Sequence, residues 1–251
     1  MKLFVVTGAS RGMGAALAEQ LLADAGHTVL GIARRTNNTL ETVAAQSGAT
    51  LEQWQADLAE PIGVAARLHD WLAARDAAGF TQATLVNNAG VVTTIGPLEN
   101  CSVEELSSAL RVGLEAPLLL TAAFLRATAR WRGERRVLNI SSGLGRRPMA
   151  GQATYCAAKA GMDHLSRAVA LDQALVGHGA KIVSLAPGVI DTEMQARLRD
   201  NPADGFPDQS HFVNLQRNGG LASPAEAAAK VLAYLDRTDI DSQPVADVRD
   251  A

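Results

Sequence analysis

The sequence predicts an α/β fold with a doubly wound parallel sheet, and three observations lead to it. Short β-branched or apolar runs alternate with longer Ala- and Leu-rich amphipathic stretches along most of the chain. This order is typical of parallel strands joined by helices that cover both faces of the sheet. A glycine-rich turn follows the first strand, and 251 residues with 47% hydrophobic side chains suffice for one large core. We therefore expect a single domain over residues 1–251.

The alternating pattern places each element in turn. Strands are expected at Leu3–Val6, Thr28–Ile32, Leu51–Gln55, Ala83–Val86, Arg136–Ile140 and Lys181–Leu185. Helices are expected at Ala15–Ala25, Leu40–Gln46, Ile62–Ala77, Val103–Ala129 and Gln152–Val176. Strand and helix units in series of this kind make a doubly wound sheet.

The regularity ends after the last of these strands. Helix-breaking residues accumulate at Asn201–Pro207 and open a polar stretch. Because a long loop inside a compact domain is usually functional, we expect an inserted substrate lid at about residues 193–222. A helix at Pro224–Leu235 follows Ser223, a suitable N-cap, and Pro244–Val248 is expected to be a final edge strand.

The bulk composition excludes several classes of protein. The net charge of -3 and the scattered arginine pairs argue against a nucleic-acid partner. Cys101 and Cys156 are too few for a disulfide framework or a zinc site, which indicates a reducing compartment. The histidines show no metal-ligand spacing, so no metal is expected. The apolar N-terminal run is too short for a signal sequence or a membrane span, so we expect a cytoplasmic protein.

The turn after the first strand has the composition of a phosphate-binding loop. It reads Thr-Gly-Ala-Ser-Arg-Gly-Met-Gly over residues 7–14. Glycines allow positive φ and let backbone amides approach a diphosphate at a helix N-terminus. The spacing G-x-x-x-G-x-G differs from the G-x-G-x-x-G dinucleotide motif, and a plain tight turn is the alternative. The candidate cofactor-binding residues in this turn are Gly8, Ser10, Arg11, Gly12, Met13 and Gly14.

Two arginines follow the second strand, where a dinucleotide fold offers an acid to the adenosine ribose. Arg34 and Arg35 stand at this position and no acid does. Guanidinium groups can pair bidentately with a 2′-phosphate, and Arg11 would approach it from the other side. NADP(H) is therefore favoured over NAD(H). The alternative is that both arginines are solvated surface charges.

Tyr155 and Lys159 lie four residues apart on a predicted helix, so their side chains share one face. A phenol has an unperturbed pKa of about 10, and a nearby ammonium stabilises the phenolate and lowers that pKa. Such a tyrosine can give a proton to a carbonyl oxygen or remove one. Taken alone, the spacing is weak evidence, because it occurs on many helices by chance.

Five motifs together resemble the short-chain dehydrogenase/reductase family over essentially the whole chain. Residues 7–14, Asn87–Gly90, Ser142, Tyr155–Lys159 and Pro187–Gly188 occur in the order and spacing of that family. The resemblance implies a Rossmann fold and an oxidoreductase that uses a nicotinamide cofactor. Five motifs in register are far more specific than any one of them.

The resemblance also implies roles for individual residues. Ser142 would hydrogen-bond the substrate carbonyl, Tyr155 would be the acid or base, and Lys159 would also bind the nicotinamide ribose. Five residues are similar to those that contact the adenosine half of the cofactor: Asp57, Leu58, Asn88, Ala89 and Gly90. Four others match the turn that holds the nicotinamide: Pro187, Gly188, Ile190 and Thr192.

One position departs from the family pattern. Gly113 stands where most members carry an asparagine whose backbone carbonyl holds a water next to the lysine. Glycine keeps the carbonyl and loses the side chain that steadies a local helix distortion. We expect that the distortion survives through backbone flexibility and that activity is retained.

The substrate class is indicated by the C-terminal third of the chain. Residues 187–195 and 220–226 look like the sepiapterin reductase and benzil reductase branch, which reduces dicarbonyl or α-hydroxy-ketone groups beside a ring. The tail is similar to that of sepiapterin reductases, so Asp247 would bind the substrate by accepting hydrogen bonds from an amino-pterin. The alternative is an exposed carboxylate at a frayed terminus.

Two other functions stay open on the sequence. A 3-oxoacyl thioester reductase of fatty-acid synthesis would need a basic docking surface for an acidic carrier, and the lid carries charges of both signs. A non-catalytic NADPH-sensing regulator would keep the cofactor site without turnover. The family resemblance further suggests a homodimer or homotetramer that acts on a small-molecule carbonyl substrate.

Overall fold

A computed structural model describes residues 1–201 and 205–250 of the chain. Over these residues one parallel sheet is formed by β1 (Lys2–Thr7), β2 (His27–Ala33), β3 (Thr50–Gln55), β4 (Gln82–Asn87), β5 (Glu134–Ile140), β6 (Lys181–Ala186) and β7 (Val245–Asp247). The strand order is β3-β2-β1-β4-β5-β6-β7. The direction of winding reverses between β1 and β4, which is the switch point of a doubly wound sheet.

The helices join these strands in chain order. They are α1 (Gly12–Leu21), α2 (Asn38–Ser47), α3 (Pro61–Ala73), α4 (Val103–Leu110), α5 (Ala116–Ala127), α6 (Ala153–Ala174), α7 (Glu193–Asp200), α8 (Gln209–Arg217) and α9 (Pro224–Leu235).

The helices cover both faces of the sheet. α1 packs against α9 on one face, and α3 packs against α5 on the other. A buried apolar cluster lies on each side, one with Leu17 and Val231 and the other with Leu72 and Phe124. The strands are rich in Val, Ile and Leu because both of their faces are buried. The predicted fold class is confirmed.

The end of the third helix differs from the prediction. α3 ends at Ala73, whereas the amphipathic pattern suggested Ala77. The Asp76 side chain accepts a hydrogen bond from the backbone N–H of Ala78 at 3.0 Å and starts a short 3₁₀ turn. Aspartate offers the backbone this alternative to continuing a helix.

The predicted helix at Val103–Ala129 contains a π turn. Arg111–Glu115 forms this turn between α4 and α5, and Gly113 lies inside it. The whole segment Val103–Ala127 is long and apolar enough to cross a membrane by length and composition alone. Half of its most apolar stretch is buried within the protein, as in the core helices of globular proteins.

The predicted lid contains two helices instead of an irregular loop. α7 and α8 lie on either side of the helix-breaking residues, part of which, at 202–204, falls outside the described residues. The Thr192 hydroxyl caps α7, and Phe206 is fully buried and stacks on Phe212 of α8 at 5.8 Å. Helix-breaking residues lie between the two helices, which is why the sequence suggested a loop. The role of this segment as a lid stays a prediction.

Candidate active site

The carboxyl ends of β1, β4, β5 and β6 open into one cleft of about 860 Å³. This volume is typical of ligand pockets, and the cleft lies at the switch point where open α/β sheets bind ligands. Every residue that the sequence predicted to bind the cofactor lines it, as do Ser142, Tyr155 and Lys159. Of the predicted site residues, Asp247 is not among the described residues on the cleft wall.

Backbone conformation and close packing favour glycine at three positions of the turn. Gly8 and Gly12 have φ angles of 70° and 57°, in the region that favours glycine. A Cβ on Gly14 would lie 2.3 Å from the Gly8 carbonyl oxygen. α1 begins at Gly12, so its first backbone amides lie where an anion is stabilised. The turn therefore fits a diphosphate group.

Thr7 fixes the end of β4 against this turn. Its hydroxyl oxygen accepts hydrogen bonds from the backbone N–H groups of Asn88 and Ala89, at 2.9 and 3.0 Å. The Asn88 side-chain amide donates back to the Thr7 carbonyl at 2.9 Å. The turn predicted to bind the diphosphate and the segment predicted to contact the adenosine half are thus held as one unit.

The adenosine end of the cleft carries exposed arginines. Arg34 and Arg35 are exposed, and within the described part of the chain neither has a carboxylate within 4.0 Å. Arg11 forms an ion pair with Glu193 in the first turn of α7. Asp57 accepts a hydrogen bond from a backbone N–H two residues on. Arg34 and Arg35 are therefore free to pair with a phosphate, whereas Arg11 would have to leave Glu193.

The predicted catalytic residues come from two neighbouring elements. Ser142 follows the end of β5, and its hydroxyl oxygen accepts the backbone N–H of Leu144 at 3.2 Å. Tyr155 and Lys159 lie near the start of α6. The Lys159 ammonium is buried, donates to the Ile140 carbonyl at 2.6 Å, and lies 5.6 Å from the centre of the Tyr155 ring.

Burial controls the protonation of both groups on α6. It raises the pKa of Tyr155 to about 12, although the hydrogen bond with Ser142 acts in the other direction. It lowers the pKa of Lys159 to about 8, while the carboxylate of Asp163 opposes that change. The sequence argument expected Lys159 to lower the pKa of Tyr155; here the loss of water around the phenol outweighs such an effect. Near neutrality Tyr155 thus holds its proton and Lys159 is mainly charged.

The opposite wall of the cleft is formed by the turn after β6. Gly188 has a φ of 84°, and Ile190 forms a parallel β-bridge with Ala222. The backbone N–H of Asp191 donates to the Ala222 carbonyl at 2.9 Å. Thr192 lines the cleft and caps α7. These contacts fix the turn that was predicted to hold the nicotinamide.

Asp247 is buried, with 4% of its surface exposed, so the alternative of an exposed terminal carboxylate is wrong. One of its oxygens accepts from the Arg249 backbone N–H and Nε at 3.0 and 2.8 Å, and the other accepts from Nη2 at 2.6 Å. The Arg249 hydrogen bonds lower the pKa of Asp247. Arg249, which sequence reasoning missed, is the member of this pair on the cleft wall.

Three further observations complete the site. Asp163, four residues after Lys159, is buried beside Ser141 and Ser184; its i+4 spacing was the signal that could have revealed it. The expected helix distortion at Gly113 is confirmed by the π turn. Among residues 1–201 and 205–250, no group of three or more His, Cys, Asp or Glu is arranged to hold a metal ion.

The sequence model described as short chain dehydrogenase matches residues 2–203. The chain belongs to the short-chain dehydrogenase/reductase family. It is 34% identical to a benzil reductase ((S)-benzoin forming) of Bacillus cereus over 239 residues, which cover 95% of each chain. It is 32% identical to a sepiapterin reductase of Rattus norvegicus, over 95% of this chain and 92% of the relative.

Other members of the family are comparably similar. A 3-oxoacyl-[acyl-carrier-protein] reductase of Escherichia coli is 33% identical, over 91% of this chain and 88% of the relative. A short-chain dehydrogenase from Sphingobium yanoikuyae, solved in complex with NADPH, superposes with a TM-score of 0.76 at 25% identity, covering 98% of this chain and 87% of that one. The family assignment thus rests on both sequence and fold.

Proposed function

We propose that this protein is an NADPH-dependent carbonyl reductase that transfers hydride to a ketone or vicinal dicarbonyl of the benzil or sepiapterin type. The proposal is carried by one observation: Ser142, Tyr155 and Lys159 share one cleft with all the residues predicted to bind the cofactor. A protonated phenol, a hydroxyl and a buried ammonium at one wall suit the reduction of a carbonyl.

Each of the three side chains has a distinct task in this proposal. Bound NADPH would supply the hydride. Tyr155 would act as general acid and donate its proton to the carbonyl oxygen, consistent with a pKa raised by burial. The Ser142 hydroxyl would donate a hydrogen bond to the same oxygen. Lys159 would bind the nicotinamide ribose and keep a positive charge beside the phenol.

The preference for NADPH is supported by the adenosine end of the cleft. Arg34 and Arg35 are exposed and form no ion pair among the described residues, so they would pair with a 2′-phosphate without first losing a partner. The relative solved with NADPH shows that this fold accommodates the phosphorylated cofactor.

The substrate class is supported by the benzil and sepiapterin reductases among the relatives. Asp247 stays a predicted substrate-binding residue. Both of its oxygens accept hydrogen bonds from Arg249, so a substrate would compete with Arg249 for this carboxylate. Arg249 itself already faces the cleft.

A 3-oxoacyl thioester reductase is the second candidate, because the Escherichia coli relative is about as similar as the sepiapterin reductase. An acidic carrier protein would favour a basic surface at the mouth of the cleft. Arg11 and Arg199 near that mouth are already paired, with Glu193 and Asp191 respectively. The lid also carries Arg197 and Arg217 together with Asp200 and Asp208, so its charges are of both signs and form no clear basic surface.

The remaining expectations of the sequence stay predictions: a single domain over residues 1–251, a substrate lid at about 193–222, a cytoplasmic location, and a homodimer or homotetramer. Exposed apolar side chains on two long helices, such as Leu118 on α5 and Leu171 on α6, support the last of them.

The function is tested by following NADPH oxidation with benzil, sepiapterin and an acetoacetyl thioester in parallel. We expect turnover of benzil or sepiapterin that Tyr155→Phe reduces about a thousandfold or more, because the proton donor is lost. Tyr234→Phe is a matched control, since Tyr234 is the other of the two tyrosines and lies on α9, away from the cleft. It should retain the wild-type rate.

Three results would contradict the proposal in different ways. Turnover of the thioester alone would assign the protein to fatty-acid synthesis. Tight NADPH binding without turnover of any substrate would identify the non-catalytic regulator. An equal loss of activity in Tyr155→Phe and Tyr234→Phe would show that Tyr155 contributes to the stability of the fold and not to proton transfer.

A further inference from the structure

A buried carboxylate lies behind the proposed site and has no task in the proposed reaction. Asp163 is on α6, one turn after Lys159, and 1% of its surface is exposed. Its Oδ1 accepts hydrogen bonds from the hydroxyl of Ser141 at 2.5 Å and from that of Ser184 at 2.6 Å. Because these serines follow β5 and lie in β6, the carboxylate joins α6 to the ends of two strands.

The second oxygen of Asp163 has unusual surroundings. Among the described residues, Oδ2 is buried without a hydrogen-bond partner, and the guanidinium Nε of Arg146 lies 3.7 Å away. A Cβ on Gly145 would lie only 2.6 Å from this oxygen. The chain that follows Ser142 is therefore packed directly on the carboxylate, and a side chain at position 145 would displace it.

A buried charge with an incompletely satisfied oxygen destabilises a fold relative to an apolar side chain of similar size. The two serines could equally well be joined to α6 by a neutral amide. Strongly desolvated charges of this kind concentrate at functional sites. The hydrogen bonds to the two serines therefore do not explain why the residue at position 163 is charged, and the negative charge points to a further role.

We propose that Asp163 is a positioning residue, whose negative charge keeps the Lys159 side chain in its ammonium form while its hydrogen bonds hold α6 against β5 and β6. The proposal deepens the proposed function and rests on it only in that Lys159 works in the cleft. Asp163 contacts neither substrate nor the proposed cofactor positions and acts through Lys159.

Asp163 lies one turn after Lys159 on the same face of α6, which places its negative charge near the ammonium. Tyr155 on the same helix is neutral near pH 7, and β5 contributes only the Ile140 carbonyl. The loop after β4 approaches through Gly90, where a Cβ would lie 4.0 Å from the Lys159 nitrogen. Burial lowers the pKa of Lys159 to about 8, and Asp163 is the charge that opposes this. Without Asp163 the ammonium would lose its proton at a lower pH.

The experiment is a titration of Lys159 by NMR with isotope-labelled lysine, in the full chain without cofactor or substrate. The chain has lysines only at positions 2, 159, 181 and 230, so each signal can be assigned by substitution. We expect a midpoint of about 8 for Lys159 in the wild type. Asp163→Asn keeps the acceptor oxygen and removes the charge, and should lower this midpoint by about one pH unit.

Two further variants separate charge from architecture. Ser184→Ala removes a hydrogen bond to the same oxygen and keeps the charge, so the midpoint should stay at the wild-type value. Arg146→Gln removes the cation that partly neutralises Asp163, so the midpoint should rise. Damage to the packing would move the variants in the same direction, whereas the proposal requires opposite shifts for Asp163→Asn and Arg146→Gln.

The proposal is overturned if Asp163→Asn leaves the midpoint unchanged, or if Ser184→Ala lowers it as far. If Asp163→Asn does not fold, Arg146→Gln carries the test, and a lowered or unchanged midpoint there refutes the proposal. The titration needs no turnover. If the Lys159 midpoint shifts as expected but no carbonyl compound is reduced, this inference stands and the proposed function fails. If a carbonyl compound is reduced but the midpoint does not shift, the proposed function stands and this inference fails.

Discussion

At the adenosine end of the cleft the side chains proposed to bind the cofactor are exposed, whereas at the reaction end they are buried and connected. Arg34 and Arg35 project from the end of β2 without acidic partners among the described residues. Lys159 is 4% exposed and is held by the end of β5, and Asp163 behind it is 1% exposed. One end presents exposed charges, and the other presents fixed and desolvated ones.

Because of this difference, we expect substitutions at the two ends to affect cofactor binding and fold stability to different degrees. Exposed charges contribute little to stability, so substitution at the adenosine end should alter cofactor choice alone. At the reaction end, a change in one buried group leaves another group unsatisfied, so stability and activity should change together. Three sets of variants test this separation, in addition to those proposed for Tyr155 and Asp163.

The largest effect is expected at the adenosine end. Arg34→Ala and Arg35→Ala should each raise the Kd for NADPH about 10- to 100-fold, because a charge-assisted hydrogen bond contributes about 1.5–3 kcal/mol. The Kd for NADH and the melting temperature should stay at wild-type values. Cofactor fluorescence titrations and thermal unfolding would measure these quantities.

Arg132→Ala provides the matched control for this pair. Arg132 is exposed, and its position in the loop before β5 is not on the cleft wall. It should bind both cofactors as the wild type does. Equal loss of NADPH and NADH binding in the Arg34 or Arg35 variants would show that these arginines stabilise the fold or contact the adenine, and that they do not bind a 2′-phosphate.

The second effect is expected in the π turn beside the reaction end. A Cβ at position 113 would lie 3.0 Å from the Cβ of Ala158, the neighbour of Lys159. Gly113→Asn should therefore reduce the free energy of unfolding by about 1–3 kcal/mol and lower the rate. Ala158→Gly should restore part of this loss in the double variant, because the two positions are in contact.

The same variant tests whether the missing asparagine limits catalysis. The π turn is present with glycine at this position, so the chain has the distortion without the side chain. A rate increase of about a hundredfold in Gly113→Asn, equivalent to about 2.7 kcal/mol of activation free energy, would show instead that the loss of the asparagine side chain limits catalysis.

The comparison of the two ends also explains what the sequence could predict. The strand positions and the glycine turn are local, because they depend on periodicity and on backbone conformations that few residues adopt. The spacing of Tyr155 and Lys159 likewise follows from one helix. Arg34 and Arg35 could be predicted from their position after the second strand alone.

Contacts between distant segments could not be read from the sequence in the same way. Asp163 meets Ser141 and Ser184 only because α6 packs across β5 and β6, and no local pattern encodes those partners. Arg249 and Asp247 pair where the C-terminal strand joins the sheet edge. The helices of the lid segment depend on Phe206, whose burial is a tertiary event.

The smallest effect is expected from two N-cap residues, one outside the cleft and one on its wall. Ser223 caps α9 through a capping box with Glu226, and α9 packs on α1. Ser223→Ala should lower the free energy of unfolding by about 1 kcal/mol without changing the Kd for NADPH. Thr192→Ala removes the cap of α7 from the cleft wall and should weaken cofactor binding as well.

The pH dependence of the Ser223 effect gives an internal check. Hydrogen bonds from Ser223 lower the pKa of Glu226, so the contribution of this pair is present near neutrality and is lost as falling pH protonates the carboxylate. The difference in stability between the wild type and Ser223→Ala should therefore shrink in acid. If Ser223→Ala weakened NADPH binding as much as Thr192→Ala, helix capping far from the cleft would control the site, and the separation between binding and folding would fail.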